Sequence, residues 1–202
     1  MSIAIRRIAL GAIAVAVALT AIVLPSPPSQ AVSAPPSSDF VIKAFPHETA
    51  TVAFSDTWGA GRSGGRSHKG TDIMSPKGTR VVAVEDGIVE HLDWNDMSGW
   101  SITIRHAYGW TSHYLHLNND SSGTDDGQGG PGAAFAEGLE VGSYVEAGDV
   151  IGFVGDSGNA ENVGSHTHFE LHIEGTKVDP YPYLAAAMER KLRESEVRRT
   201  MQ

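Results

Sequence analysis

Cysteine is absent from the 202 residues. That excludes a disulfide framework, a thiolate zinc site and a cysteine nucleophile. Any metal must therefore be held by histidine and carboxylate. Basic residues are also few: 15 Lys and Arg stand against 24 Asp and Glu, for a net charge of −9. A nucleic-acid partner is not expected, because binding phosphates needs a basic stripe. The signature HExxH is missing, which excludes the helical zinc site with two histidines one turn apart. No internal repeat is found. A long apolar run occurs once, from Ile8 to Leu24, behind Arg6 and Arg7 and ahead of PSPPSQA. Met1 to Ala31 (1–31) reads as a signal peptide cleaved near Ala31, which implies a secreted protein of the cell envelope. The alternative is an uncleaved anchor, since the run lies at the lower edge of bilayer-spanning length. Only in that case is a membrane a partner.

Residues 32–45, which include VSAPPSSD, read as a Pro/Ser-rich linker. The pattern over 46–184 is that of a mostly β, single domain. Its strand candidates are Thr79–Val84, Gly87–His91, Trp100–His106, Trp110–Leu117, Val150–Val154 and Thr167–Ile173. They are rich in Val, Ile, Thr and aromatics, and several alternate. Gly59 to Gly70 is too glycine-rich for a helix or regular strand and reads as a loop. Residues 118–137 form a long acidic, Gly-rich insertion. The tail, 185–202, carries strong helix formers and ends in basic residues, which suits a helix packed outside any groove.

Three constellations carry chemistry. In His68-Lys69-Gly70-Thr71-Asp72 the glycines argue against a helix, so the pair sits where a loop enters a strand. In the strand from His166 to Ile173, alternation puts His166, His168, Glu170 and His172 on one face. Thr167, Phe169, Leu171 and Ile173 take the other, which reads as core. The plain alternative is a solvated sheet face with scattered histidines. In Tyr114-Leu115-His116-Leu117, the same rule puts Tyr114 and His116 on one face and His113, Leu115 and Leu117 on the other. A structural role for His116 is the plain alternative, and His113 reads as packing.

A hydrolytic zinc site takes three protein ligands and keeps a fourth position for water. His68, Asp72 and His168 supply two imidazoles and a carboxylate. His116 and His166 are then available to deprotonate the water and stabilise an oxyanion. Asp120, Asp125 and Asp126 form a weaker second cation candidate, though acids in such loops are usually just solvated. Trp58, Trp94, Trp100 and Trp110 read as groove lining or as packing. Arg62 and Arg66 are candidates for meeting substrate carboxylates.

These parts together resemble the M23 peptidases, the lysostaphin or LytM type. The resemblance rests on FSDTWG from Phe54, HKGTDI from His68, GTRVVA from Gly78, TSHYLHL from Thr111, VEAGDVIG from Val145, GDSGN from Gly155 and HTHFE from His166. It spans about Phe54 to Leu184. It implies an antiparallel sheet with a groove over one face, one Zn2+ on His68, Asp72 and His168, and catalytic roles for His116 and His166. It implies hydrolysis of stem or cross-bridge peptides in peptidoglycan, by a chain expected to be monomeric. The insertion departs from the family pattern at a place that would border the groove. Some relatives lack zinc ligands and act as activators, so a non-catalytic envelope module that binds peptidoglycan or activates a wall amidase is the alternative. A biotinyl or lipoyl carrier is a third reading, because VVAVEDGIVEHL and VEAGDVIGFVG resemble carrier hairpins. Lys69, Lys77 and Lys177 lack a flanking motif for it. His47 and Asp39 are weak candidates for an upstream segment that blocks the metal.

Overall fold

The computed structural model describes residues 41–49 and 51–201. The expected signal segment, most of the linker and Asp39 lie outside them. The elements in chain order are β1 (Thr71–Met74), β2 (Arg80–Val82), β3 (Gly87–Asn95), β4 (Gly99–His106), β5 (Trp110–Leu117), α1 (Gly130–Ala134), β6 (Tyr144–Val145), β7 (Val150–Phe153), β8 (His166–Ile173), β9 (Thr176–Val178) and α2 (Tyr181–Thr200). One antiparallel sheet runs β1-β8-β5-β4-β3-β6, with β9 also paired to β8, and β2 and β7 form a two-stranded ribbon. The expected mostly β, antiparallel fold is what the chain adopts. The strand expected after the His68 loop is β1, though without bounds, and β6 and β9 were not expected. All three are two to four residues long, too short to show a period.

The core lies on one face of the large sheet. Ile102 and Ile104 from β4, Tyr114 from β5 and Phe169 and Leu171 from β8 are fully buried there. Tyr114 places its ring edge-on to Phe169 at 5.3 Å. Its hydroxyl accepts bonds from the Val84 amide at 3.0 Å and the Ser112 hydroxyl at 3.1 Å. The opposite face of β5 and β8 is left for the site.

The C-terminal helix begins at Tyr181, with Pro182 in its first turn, where a missing N–H costs nothing. It buries Leu184 and Ala187. Lys191 Nζ donates to the His47 and Glu48 carbonyls, both at 2.7 Å. Arg190 bonds the Ile42 carbonyl. Ile42 and Phe45 are themselves core residues. So the packed unit reaches back into the expected linker, and α2 starts ahead of residue 185. Among the described residues no helix is long and apolar enough to cross a membrane.

The insertion is built into the domain. Asp120 is 1% exposed and receives Lys77 Nζ at 2.6 Å. The same ammonium meets Asp125 at 2.7 Å and Asp156 at 3.0 Å. Burial works against the Lys77 charge, but the three carboxylates outweigh it and hold its pKa above the usual value. Asp120, Asp125 and Asp156 stand close enough to share a cation, and the lysine supplies one. The expectation that these acids are merely solvated fails for Asp120. The carrier reading loses Lys77, which is locked in ion pairs. After α1, Phe135 packs edge-on to Trp100 at 5.5 Å.

Candidate metal centre and groove

Strand register assembles the centre. Pairing of β1 with β8 sets Asp72 directly opposite His168. His68 arrives from the preceding loop, which is pinned by Gly59 N to His68 O at 2.9 Å and His68 N to Ala60 O at 2.8 Å. Gly70 lets the loop lie against β8. A Cβ there would stand 2.5 Å from the Phe169 carbonyl oxygen and 2.6 Å from His168 Nε2. No side chain fits, so the glycine is a condition of the approach.

Three atoms converge. His68 Nε2 lies 3.0 Å from Asp72 Oδ1 and 2.9 Å from His168 Nδ1, and His168 Nδ1 lies 2.8 Å from Asp72 Oδ1. Their outer partners set the tautomers. His68 Nδ1 is 3.2 Å from the Thr57 carbonyl oxygen and 2.9 Å from its hydroxyl. A carbonyl only accepts, so Nδ1 carries the proton and Nε2 the lone pair. His168 Nε2 faces Glu170 Oε1 at 3.2 Å, so there the proton sits on Nε2 and the lone pair on Nδ1. Two imidazole lone pairs and a carboxylate oxygen thus point at one spot. Three acceptors at this spacing need a cation or added protons between them. Two nitrogens and one oxygen, each oriented by an outer hydrogen bond, are a donor set that suits zinc.

The electrostatics describe the alternative occupancy, in which protons rather than a cation sit between these groups. Burial would raise the Asp72 pKa, but hydrogen bonding to His168 and His68 outweighs it and holds the carboxyl well below the usual range. Burial would lower that of His168, but Asp72 and Glu170 hold it above its ordinary value. Glu170 is likewise held low, against its burial, by His168, His172 and Lys177. Arg62 bonds the other oxygen of Asp72.

Two further imidazoles overlook this centre. The His116 and His166 rings stand 5.1 Å apart, and His116 is 6.0 Å from His168. His116 Nδ1 donates to the Ser157 carbonyl at 2.9 Å, and His166 Nδ1 to the Gly164 carbonyl at 2.8 Å. Each therefore keeps an unprotonated Nε2. Burial first, then His166, pushes the His116 pKa down to about 4.

The sheet-face reading of β8 holds, since His166, His168, Glu170 and His172 all line the groove while Phe169 and Leu171 are core. For β5 the structure corrects it. His116 has φ of 60°, in the left-handed region. Trp100 pairs with Leu117 and Ile102 with Tyr114, so Ser101 of β4 faces both Leu115 and His116. This bulge breaks the alternation. His113, Leu115 and His116 line the groove together, and Tyr114 and Leu117 are core. Tyr114 is thus no donor to a reacting group. His113 belongs to the groove wall, its ring stacked on His172 at 3.9 Å. Sequence reasoning missed it because one left-handed residue, three positions on, resets which neighbours share a face.

The groove has a volume of about 980 Å3. Among the described residues, neither the insertion nor any of the four tryptophans lines it. Trp94 packs on Trp100 at 5.1 Å, Trp110 stacks on His106 at 3.9 Å, and Trp58 carries Lys69 Nζ at 5.0 Å from its ring centre. The insertion therefore does not border the site. His47 is fully buried on the core side, with Nε2 3.0 Å from the Thr167 hydroxyl, so it cannot cap the metal centre.

Fold and site define a class: a β-sheet scaffold whose polar face carries a His-Asp-His cluster and two adjacent imidazoles in an open groove. The model of peptidase family M23 matches residues 66–129 and 133–180, and the chain belongs to that family. It is 34% identical over 155 residues to the L-Ala–D-Glu endopeptidase of Bacillus subtilis, covering 71% of this chain and 43% of that protein. It is 30% identical over 115 residues to the peptidoglycan DD-endopeptidase ShyC of Vibrio cholerae, covering 57% of this chain and 22% of that one. The chain thus spans less than half the length of either curated relative. Among solved structures, the catalytic domain of the antimicrobial peptidase lysostaphin from Staphylococcus simulans superposes with a TM-score of 0.53 at 25% identity, covering 66% of this chain and 92% of that one.

Proposed function

We propose that this chain is a zinc-dependent endopeptidase that hydrolyses peptide bonds in bacterial peptidoglycan, acting as a monomer outside the cytoplasm. One observation carries the reading: two lone pairs and a carboxylate oxygen, from His68, His168 and Asp72, converge within 3.0 Å beside two imidazoles with free Nε2 atoms. Support for the substrate comes from relatives in the family that are named for peptidoglycan bonds. Support for the location is the charged, then apolar, leader before Ala31.

His68 Nε2, Asp72 Oδ1 and His168 Nδ1 would hold the ion. When bound, zinc supplies a Lewis acid for the scissile carbonyl and makes water acidic enough to attack near neutral pH. His116 Nε2 takes the proton from the attacking water, its other nitrogen locked on Ser157. His166, its Nδ1 held on the Gly164 carbonyl, accepts a hydrogen bond from the attacking water at its Nε2 lone pair and orients that water. The proton held by His116 passes to the leaving amine. Thr57 and Glu170 keep the ligand tautomers fixed throughout. With all five side chains present, the non-catalytic reading has no observation in its favour.

The test is mass spectrometry of fragments released from several peptidoglycan types by the zinc-loaded chain. New amino termini at one kind of bond are expected, and their loss on chelation. Intact peptidoglycan from zinc-loaded, folded protein would refute the proposal.

A further inference from the structure

Resting on the role proposed for His116, we infer that Ser157 is a positioning residue of the reaction, whose carbonyl and hydroxyl together hold the His116 ring with its proton on Nδ1 and its Nε2 lone pair free. His116 needs such support. It is a non-glycine residue with φ of 60°, and backbone in that region persists only where its surroundings over-determine it. Three bonds hold it. The His116 amide donates to the Ser98 carbonyl at 2.9 Å. The ring Nδ1 donates to the Ser157 carbonyl at 2.9 Å. The carbonyl of the next residue, Leu117, accepts from the Ser157 hydroxyl at 2.6 Å. Two of the three come from Ser157, which is fully buried.

The hydroxyl also reaches the neighbouring strand. It accepts from the Trp100 amide at 3.0 Å while it donates to Leu117. Trp100 and Leu117 are partners across β4 and β5, at the edge of the slip between Trp100 and Ile102. One hydroxyl thus ties both strands where the ladder is irregular, and that irregularity is what aims His116 into the groove. Close packing makes the tie stiff. A Cβ on Gly99 would stand 2.0 Å from the Ser157 hydroxyl oxygen, and one on Gly158 would stand 2.3 Å from the Gly99 nitrogen. The turn between β3 and β4 and the Ser157 segment therefore lie backbone against backbone. Ser157 does not line the groove. It touches no substrate and acts through His116.

The experiment uses the zinc-loaded full chain and peptidoglycan solubilised with a muramidase. Rates of new amino termini against substrate concentration separate kcat from KM. Ser157→Ala should lower kcat about 10- to 100-fold, the scale of a small misplacement of a reacting group. KM and zinc content should not change. Ser112→Ala is the control, because its hydroxyl is equally buried but bonds His106 and Tyr114 on the core side. Its kcat per folded molecule should stay at the level of the unaltered chain. A second readout needs no turnover. Burial keeps the His116 ring neutral at neutral pH, so its tautomer is read by NMR of isotopically labelled histidine nitrogens, with the signal assigned by its absence from His116→Gln. The unaltered chain should show one tautomer, protonated at Nδ1, and Ser157→Ala a mixture of two. Full kcat in Ser157→Ala overturns the inference, as does a loss carried by KM or zinc content, or an equal loss in Ser112→Ala. A His116 ring protonated at Nε2 in the unaltered chain overturns it too, and that result decides even where Ser157→Ala does not fold. If the unaltered chain leaves the peptidoglycan uncut, the peptidase reading fails, and the tautomer still decides the placement of His116. If it cuts and Ser157→Ala cuts equally, this inference alone fails.

Discussion

Replacing Gly70 by alanine disturbs the centre without removing any ligand. The added Cβ would lie 2.6 Å from His168 Nε2 and 2.8 Å from His168 Cε1, with the Phe169 carbonyl oxygen at 2.5 Å on its other side. Ordinary contact begins near 3.4 Å, so one partner must give by roughly 0.8 Å. The carbonyl belongs to a central strand paired on both edges and cannot yield cheaply. Moving the imidazole alone would leave the clash with the carbonyl, so the loop must move, and His68 with it. Overpacking of this kind costs about 1–3 kcal/mol of stability. The displaced His68 imidazole also slips from Thr57, and loss of such an outer partner typically lowers metal affinity 10- to 100-fold. Gly61→Ala is the control. It lies in the same loop with ordinary φ, and nothing approaches its Cβ within 4 Å. Zinc affinity by chelator competition and thermal midpoints of both variants provide the measurement. Wild-type affinity in Gly70→Ala would refute the close-approach argument, and so would an equal loss in Gly61→Ala.

His116→Ala should retain zinc yet lose turnover by about 10²- to 10⁴-fold, because a proton acceptor goes while the three convergent donors stay; zinc content and rate measured on one preparation decide it, and full turnover counts against the role. Lys77→Met should destabilise the fold by about 3 kcal/mol, since it strands the buried Asp120 carboxylate, seen as a lower denaturant midpoint. Cleavage per folded molecule should persist in that variant, because the insertion does not line the groove; a lost activity would show that it does bear on the site. Acid should destabilise the metal-free protein. Burial lowers the His106 pKa to about 4 and that of His47 to about 3, from 6.5. The unfolded chain takes up protons that the folded one refuses, so this stability is full above pH 6.5 and is lost as pH falls through 4. His106 alone contributes on the order of 3 kcal/mol. Denaturant midpoints in a chelator at pH 7.5 and pH 5 should differ, and by less in His106→Gln; an equal slope in that variant would contradict the assignment.

Where one local rule acts alone, sequence and structure coincide. The run from His166 to Ile173 is a straight strand, so period two divides it correctly into a polar and an apolar face. The glycines from Gly59 to Gly70 exclude a long helix, and that loop holds just a three-residue 3-10 turn at Ser63–Gly65 inside an isolated bridge between Gly61 and Ser67. Near His116 two influences compete. The pairing of β4 with β5 slips, the residue turns left-handed, and alternation gives the wrong neighbours. The aspartates of the insertion show the same limit. Nothing near Asp120 in the chain announces a partner at Lys77, 43 residues upstream.

The amino-acid order alone determined the fold class, because apolar alternation and turn residues are local properties of the chain. It also determined the chemical types on offer, histidine and carboxylate without thiol. Which of those groups share a point in space was decided only by tertiary structure. Asp72 and His168 are 96 positions apart and meet through the pairing of β1 with β8. Register is a cooperative result of packing both faces at once, and no segment by itself contains it.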